Sequence, residues 1–347
     1  MKGDGMIDRI MWIDTENTYP YRNLAMEEYM TLHVPQGTCI LYLWQNRHTV
    51  VIGKNQNCWR ECRVNFLEQE NGYLVRRLSG GGAVFHDLGN LNFTFIVGAG
   101  DYDVSRQLDV ILEAVRSLGI HAEKTGRNDI TVDGRKFSGN AFYRTGDGCY
   151  HHGTILIRAD KENMSRYLNV SKEKLASKGV TSVKSRVANL CEFKPDITLE
   201  EVKSALVEAF SKVYGQPAVR MEEGELPQPD IDARTEKFAS WQWKYGRKIP
   251  FEYEMEKRFP WGNIQIQFHV DEGMIQDVNV FSDAMDQEMI GMLAEQLKGC
   301  AYAEEDICRA VKAVGTDAFQ AGEYTGADEP QSCRIKEDIM TLVRESL

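Results

Sequence analysis

The stretch VRRLSGGGAVFHDLGNLNFTF, residues 75–95, sets three consecutive glycines between an arginine pair and a His-Asp pair, with β-favouring apolar runs on both sides. Glycines in a row cost backbone entropy and offer no side chain to pack, so the interior of a helix or strand tolerates them poorly. The chain must pass from strand to strand through an open connection at residues 80–82, and something has to come close to that backbone. Other β-rich runs surround it: CILYLW (39–44), TVVIG (49–53), YLVRRL (73–78), GAVFH (82–86), LNFTFIV (91–97) and GTILIR (153–158). Together they predict one mixed sheet. Helical periodicity interrupts them in VSRQLDVILEAVRSLG, where Val104, Leu108, Ile111, Leu112, Val115 and Leu118 share a face, and again in LEEVKSALVEAFSKVYG. The fold class is α+β.

ITVDGRKFSGNAF (130–142) reads as a hairpin turning at Asp133-Gly134, a dipeptide suited to a type I′ turn, with Lys136 on the second strand. Within RMEEGELPQPDIDARTEKFASWQWKYGRKIPF the periodicity is lost and Pro, Gly and charge accumulate, which predicts a domain junction near residues 245–250. The expected domains are 1–248 and a small α/β module, 249–347, built from a hairpin turning at 271–273 and three amphipathic helices. A length of 347 residues suits about two domains. The net charge of −11, without a long Lys/Arg run, argues against nucleic acid as a partner. The N-terminal stretch lacks an apolar core of signal-peptide length, and no segment approaches the roughly 18 apolar residues of a membrane span. A cytoplasmic, membrane-free protein is expected. The eight cysteines are scattered, and the Cys58/Cys62 spacing is a poor zinc signature, so they read as reduced thiols.

No P-loop pattern is present. Gly80, Gly81 and Gly82 could present backbone N–H groups as an anion-binding nest beside the guanidinium forks of Arg76 and Arg77, or form a plain strand connection with surface arginines. His86-Asp87 and His151-His152 could serve as metal ligands, as an acid–base set or as polar strand ends. Adjacent strand histidines point to opposite faces, so at most one enters a given site, which argues against a dedicated metal cage. The small, basic tract ASKGVTSVKSRVANL (176–190) suits either a loop that closes over a ligand or a solvated connection.

In combination these segments resemble the lipoate–protein ligase A family, in its bacterial form with a C-terminal accessory domain. RRLSGGGAVFHDLGNLNFTF is similar to the family's lipoate and nucleotide loop, GRNDITVDGRKFSGNAF to the segment with its catalytic lysine, and HHGTILI to the strand that follows. LWQNRHTVVIGKNQNCWREC, KGVTSVKSRVANL and EKFASWQWKYG extend the likeness along nearly the whole chain. The resemblance implies a mixed-sheet catalytic domain of the biotin/lipoate ligase type. It implies ATP-dependent activation of lipoate to lipoyl-AMP, then transfer to a lysine of an acceptor. The glycine-cleavage H protein and the lipoyl domains of 2-oxoacid dehydrogenase acyltransferase subunits are the implied acceptors, and a monomer is expected. By carry-over, Lys136 is catalytic. ATP would meet Arg77, Gly80, Gly81, Gly82, Ala83, Val84, Phe85, Asn128, Asp129, Lys136, Ser182 and Arg186. Lipoate would meet Trp44, Arg76, Ser79, His86, Lys136, Gly139 and His152. Mg²⁺ is implied, with Asp87 and Asp129 as its carboxylates.

One departure is that Tyr143 follows Phe142 where the family commonly has an Arg, so no carboxyl-binding role is assigned to Arg144. The charge chemistry agrees with the carry-over, because one fixed ammonium can offset phosphoryl charge in adenylation and polarise the acyl carbonyl in transfer. The competing reading is an ATP-independent octanoyl or lipoyl transferase that works through a cysteine thioester. Its nearest thiol is Cys149, which RTGDGCYHH places in an exposed turn ahead of the strand. Biotin ligases rank third, and a silent sensor would not need Lys136.

Overall fold

A computed structural model describes residues 7–125, 129–169, 187–246, 248–315 and 331–347. By contact density the chain forms two units: Met1–Val51 with Trp59–Arg76 and Ala83–Lys244, and Tyr245–Leu347 with Ile52–Cys58 and Arg77–Gly82.

The strands are β1 (Arg9–Asp14), β2 (Thr38–Trp44), β3 (Thr49–Ile52), β4 (Tyr73–Arg76), β5 (Val84–His86), β6 (Asn90–Gly98), β7 (Glu123–Thr125), β8 (Asp129–Val132), β9 (Arg135–Arg144), β10 (Gly148–Leu156), β11 (Val219–Arg220), β12 (Tyr253–Phe259), β13 (Gly262–Asp271) and β14 (Met274–Ser282). Eight of them form a sheet in the order β11-β1-β2-β6-β10-β9-β8-β7, in which β1 pairs in parallel with β2 and β11, and β2, β6, β10 and β9 pair antiparallel. The expected single sheet is in fact two. β4-β3-β5 stand apart as a separate three-stranded sheet, with the glycines at 80–82 in the connection between β4 and β5.

The large sheet is covered on both faces, and cross-strand register fixes which residues look each way. One face carries Tyr42, Thr94 and His152 in a row, and the helix Pro20–His33 packs over it, with Tyr42 Oη donating to Asn23 Oδ1 at 3.3 Å. The other face carries Leu41, Phe95 and His151 in a row, beneath the helices Val104–Ser117 and Leu199–Tyr214. There the Phe95 and Phe210 rings meet edge to face at 5.7 Å. Capping residues begin these two helices: Asp103 accepts from Arg106 N, and Thr198 forms a capping box with Glu201.

In the second unit β12-β13-β14 form an antiparallel sheet with the 271–273 turn where the sequence puts it, and Glu272 and Gly273 take positive φ values of 49° and 75°. Helices Gln287–Leu297, Glu304–Ala313 and Gln331–Ser346 follow. A core cluster of this unit, including Ile264, Ile266, Phe268, Leu293, Ile307 and Ile339, is built among the described residues from Met255 onward.

Candidate functional site

The β8–β9 hairpin shows how local sequence places a cation. Asp133 and Gly134 adopt φ of 49° and 70°, the left-handed pair a two-residue type I′ connection requires. Beyond the turn Thr131 pairs with Lys136 but Ile130 pairs with Ser138, so Phe137 is an extra, bulged residue. In a regular strand, residues 136 and 139 would point to opposite faces. The bulge resets the alternation and brings Lys136 onto the face of Gly139 and its partner Asp129. The Lys136 ammonium ion-pairs with Asp129 Oδ1 at 2.6 Å, and the side chain lies across Gly139 so closely that a Cβ there would sit 2.5 Å from Nζ. Gly139 is needed for that passage. Lys136 is also held by its backbone, since Ala188 N donates to its carbonyl at 2.8 Å.

A lateral row on this face runs across five strands. Trp44 pairs with Asn92, Asn92 with Thr154, Thr154 Oγ1 accepts from Gly139 N at 3.2 Å, and Gly139 pairs with Asp129. At one end the row is an apolar wall: Trp44 is 3 % exposed, and the His86 ring meets it edge-on at 6.4 Å. The other end is the Lys136–Asp129 pair. In the adjacent row, Trp44 Nε1 donates to Thr94 Oγ1 at 3.0 Å, Thr94 donates to Glu27 Oε1 at 2.7 Å, and His152 Nδ1 lies 2.8 Å from the same oxygen. Glu27 comes from the covering helix and is 1 % exposed.

Of the seven residues expected at the lipoyl group, six occur in this unit: Trp44, Gly139 and His152 stand in two neighbouring rows, Lys136 lies across Gly139, the His86 ring of β5 meets Trp44, and Arg76 is the sixth. Arg76 is buried in that unit, where its guanidinium donates to the carbonyls of Trp243 and Lys244, at 3.0 and 2.8 Å, at the end of the helix Trp241–Tyr245. Of the nucleotide residues, Phe85 stacks on Tyr167 at 5.4 Å, and Ala83 and Val84 are half-buried. Asn128, Ser182 and Arg186, and residues 176–186 of the expected closing loop, lie outside the described residues.

Arg77, Ser79 and Gly80–Gly82 belong to the second unit. Arg77 Nε donates to Ser79 Oγ at 3.0 Å, and its Nη2 donates to the Gly80 and Gly82 carbonyls at 2.7 and 2.9 Å, so the loop wraps its own arginine. What comes close to the glycines is backbone. Gly81 N donates to Ala284 O at 3.0 Å, and a Cβ on Gly80 would sit 2.5 Å from that carbonyl oxygen.

Two expectations about titratable groups are revised or sharpened. Cys149 is not in an exposed turn. It lies in β10, fully buried, because the turn closes at 145–147 and pairing begins with Arg144 opposite Cys149. Its register with Val97 and Cys39 puts it on the face beneath helices Val104–Ser117 and Leu199–Tyr214, away from Lys136. His151 shares that face, flanked by Asn140 Oδ1 at 2.8 Å and Gln107 Oε1 at 3.2 Å. Burial, then the neighbouring His152 and Lys124, push its pKa down to about 3. It is a neutral core histidine, and His152 alone of the pair enters the site.

The carboxylates suggested for Mg²⁺ do not form a protein cage. Asp87 accepts from the backbone N–H groups of Gly89 and Asp160, Asp129 is paired with Lys136, and among the described residues no cluster of three or more His, Cys, Asp or Glu side chains could hold a metal. Among the described residues no helix is long and apolar enough to cross a membrane.

Glu27, Thr94, Asn92 and Thr154 were not singled out from sequence. Asn90, Asn92 and Thr94 form a period-2 polar stripe in and beside a run read for its apolar content, and Glu27 is an acid one turn from both Leu24 and Met30. Both are legible signals of a polar site set into a core.

Residues 19–211 match the family described as the lipoyl protein ligase A/B catalytic domain, and residues 248–326 match the bacterial lipoate protein ligase C-terminus. The crystal structure of P. falciparum LipL1 in complex with lipoate resembles this chain with a TM-score of 0.80 and 28% identity, over 96% of this chain and 99% of that one. The bi-partite lipoate protein ligase of Thermoplasma acidophilum, studied with its E2 lipoyl domain, gives 0.59 and 25% over 70% and 99%. Lipoate-protein ligase A bound with ATP, at 0.58 and 23% over 70% and 99%, shares the fold. The chain belongs to the lipoyl protein ligase A/B family, with a catalytic domain followed by a bacterial lipoate protein ligase C-terminal domain.

Proposed function

We propose that the protein is an ATP-dependent lipoate–protein ligase that converts free lipoate to lipoyl-AMP with release of pyrophosphate, then passes the lipoyl group to a lysine of an acceptor domain. The observation that carries this reading is the bulge that sets Lys136 across Gly139, on the same face as Trp44 and His152. The lipoyl chain would lie against Trp44, where each buried methylene contributes about 0.8 kcal/mol, with its carboxyl end toward Lys136. The ammonium offsets charge on the phosphoryl oxygens in the first step and polarises the acyl carbonyl in the second. Asp129 and the packed strand hold it in place, so little reorganisation accompanies either step. The lipoate held by LipL1 and the ATP held by lipoate-protein ligase A, which are properties of those proteins, suit the same division of the site. The Thermoplasma ligase works with an E2 lipoyl domain, which supports acceptors of that kind here. No step is routed through Mg²⁺, for which the described carboxylates build no cage.

The transferase reading is disfavoured by topology, since the buried Cys149 thiol projects from the sheet face opposite Lys136. Incubating the protein with lipoate, ATP and each apo-acceptor, read by mass spectrometry, is expected to give lipoylated acceptor with ATP and none without it. Lys136→Ala is expected to lose both half-reactions. ATP-free transfer from an acylated carrier protein that disappears in Cys149→Ser would replace the ligase reading by the thioester one.

A further inference from the structure

Asn90 and Asn92 set two amides on the face of β6 that carries the row from Trp44 to Asp129, and they are 0 % and 1 % exposed. Asn90 Nδ2 donates to Asn92 Oδ1 at 2.9 Å. Asn90 Oδ1 and Asn92 Nδ2 are left buried with no hydrogen-bond partner among the described residues. Buried amides are nearly always paired, and an unmade bond costs the group its desolvation. Turning both side chains over would only exchange the orphans, for the pair always keeps one donor and one acceptor uncommitted. Apolar side chains of the same shape would fill the place at no such cost, so the polar ones point to a ligand.

The uncommitted donor lies beside the Lys136 ammonium. Asn92 stands directly opposite Trp44 on β2 and Thr154 on β10, and side chains so paired have Cβ atoms about 5 Å apart. Thr154 Oγ1 is 3.9 Å from the point where a Cβ on Gly139 would stand, and Lys136 Nζ is 2.5 Å from the same point. The ammonium and the amide therefore flank Thr154 from its two sides. A carboxylate laid between them offers one oxygen to each, and it favours the amide orientation that the structure has, with N–H toward the pocket. The alkyl chain behind it meets Trp44, the apolar neighbour on the other side of Asn92.

We propose that Asn92, held by Asn90, is a ligand of the lipoate carboxylate, with its side-chain N–H on one carboxylate oxygen and the Lys136 ammonium on the other. The assignment rests on the ligase reading above and adds to it a neutral donor that recognises the carboxyl end. With both oxygens held, the carboxylate meets the nucleotide in one orientation.

The test is binding to the full chain without ATP, by titration calorimetry, of lipoate and of the same dithiolane with a butyl chain in place of the pentanoate, which has no carboxylate. Asn92→Leu keeps the volume and removes the donor. It is expected to weaken lipoate about 10–100-fold and the butyl compound less than about twofold, as the loss of one bond to a charged group requires. The KM for lipoate in lipoyl-AMP formation should rise by the same factor. The melting temperature of the free variant should hold or increase, since an unmade bond goes with the amide. Should that variant fail to fold, Asn92→Ala is to show the same difference between the acid and the butyl compound. Equal weakening of both compounds, or undiminished lipoate affinity, would overturn the proposal and leave Asn92 as pocket wall or as the seat of a water molecule. Wild-type protein that binds lipoate yet forms no lipoyl-AMP would instead overturn the ligase reading and leave the carboxylate site standing.

Discussion

At the scale of single residues, neighbours in sequence have opposite fates. His151 and His152 differ by one position and face opposite sides of the sheet, so one is a neutral core group and the other borders the site. The core histidine has a pH consequence. Its folded pKa of about 3 lies below the unfolded value of about 6.5, so between those values the unfolded chain binds a proton that the folded chain does not. Its contribution to stability is complete above pH 6.5 and declines as the pH falls, by up to about 1.4 kcal/mol per pH unit. Melting temperatures from pH 7.5 to 4.5 should fall less steeply in His151→Gln than in wild type, and equal slopes would remove His151 from the acid limb of stability. Gly139 offers the complementary test. A methyl there meets only the flexible tip of Lys136, so Gly139→Ala should shift the melting temperature little while lowering lipoyl-AMP formation at least about 100-fold, because the ammonium is driven from its place. Activity retained within a few-fold would show that the crossing of Lys136 over Gly139 is incidental.

At the scale of elements, register decides chemistry. The Asp133-Gly134 turn and the alternation around it were readable, but the bulge at Phe137 was not, since one extra residue leaves no compositional trace and is defined only by its partner strand. The same holds for β10. Its start was read too late, after Cys149 and with the strand run at 153–158, because Gly146, Asp147 and Gly148 look like loop, whereas pairing to β6 extends the strand back to Gly148 and takes Cys149 inside. That pairing changes the reason for expecting Cys149→Ser to be mild. The thiol is inert because it is buried on the wrong face, and the variant should keep most ATP-dependent lipoylation, form no acyl-thioester visible by intact mass, and lose about 1 kcal/mol of stability. Gly153 is a tightly enclosed position in β10. A Cβ would lie 2.6 Å from Phe93 Cζ and 2.7 Å from Gly139 O, so Gly153→Ala should destabilise by about 1–3 kcal/mol in chemical denaturation. A midpoint equal to that of wild type would mean the sheet relaxes more freely there than its packing indicates.

At the scale of the whole molecule, the chain forms two units woven from non-contiguous segments, with Ile52–Cys58 and Arg77–Gly82 joining Tyr245–Leu347. Because a core cluster of that unit is built from described residues at Met255 and beyond, a fragment spanning 248–347 should unfold cooperatively by itself. Without Gly81 N–H on Ala284 O and Asn55 O on Ser282 N–H, its amides at 282–287 should exchange faster than in the full chain. Uniform protection there would make those contacts dispensable. The sequence by itself determined the α+β class, the β8–β9 and β13–β14 turns, the amphipathic helices and the resemblance to lipoate–protein ligases. All of these rest on local rules of periodicity, turn chemistry and ordered motifs that a single strand or helix already obeys. Only the tertiary structure decided that the strands ahead of β12 divide into two sheets, that Arg76 seats helix carbonyls, that the triple glycine lies against the Ala284 backbone, and that Glu27 meets His152. Those outcomes depend on which strand pairs with which and on what a buried polar group finds beside it, and such non-local contacts are written in no segment's own pattern.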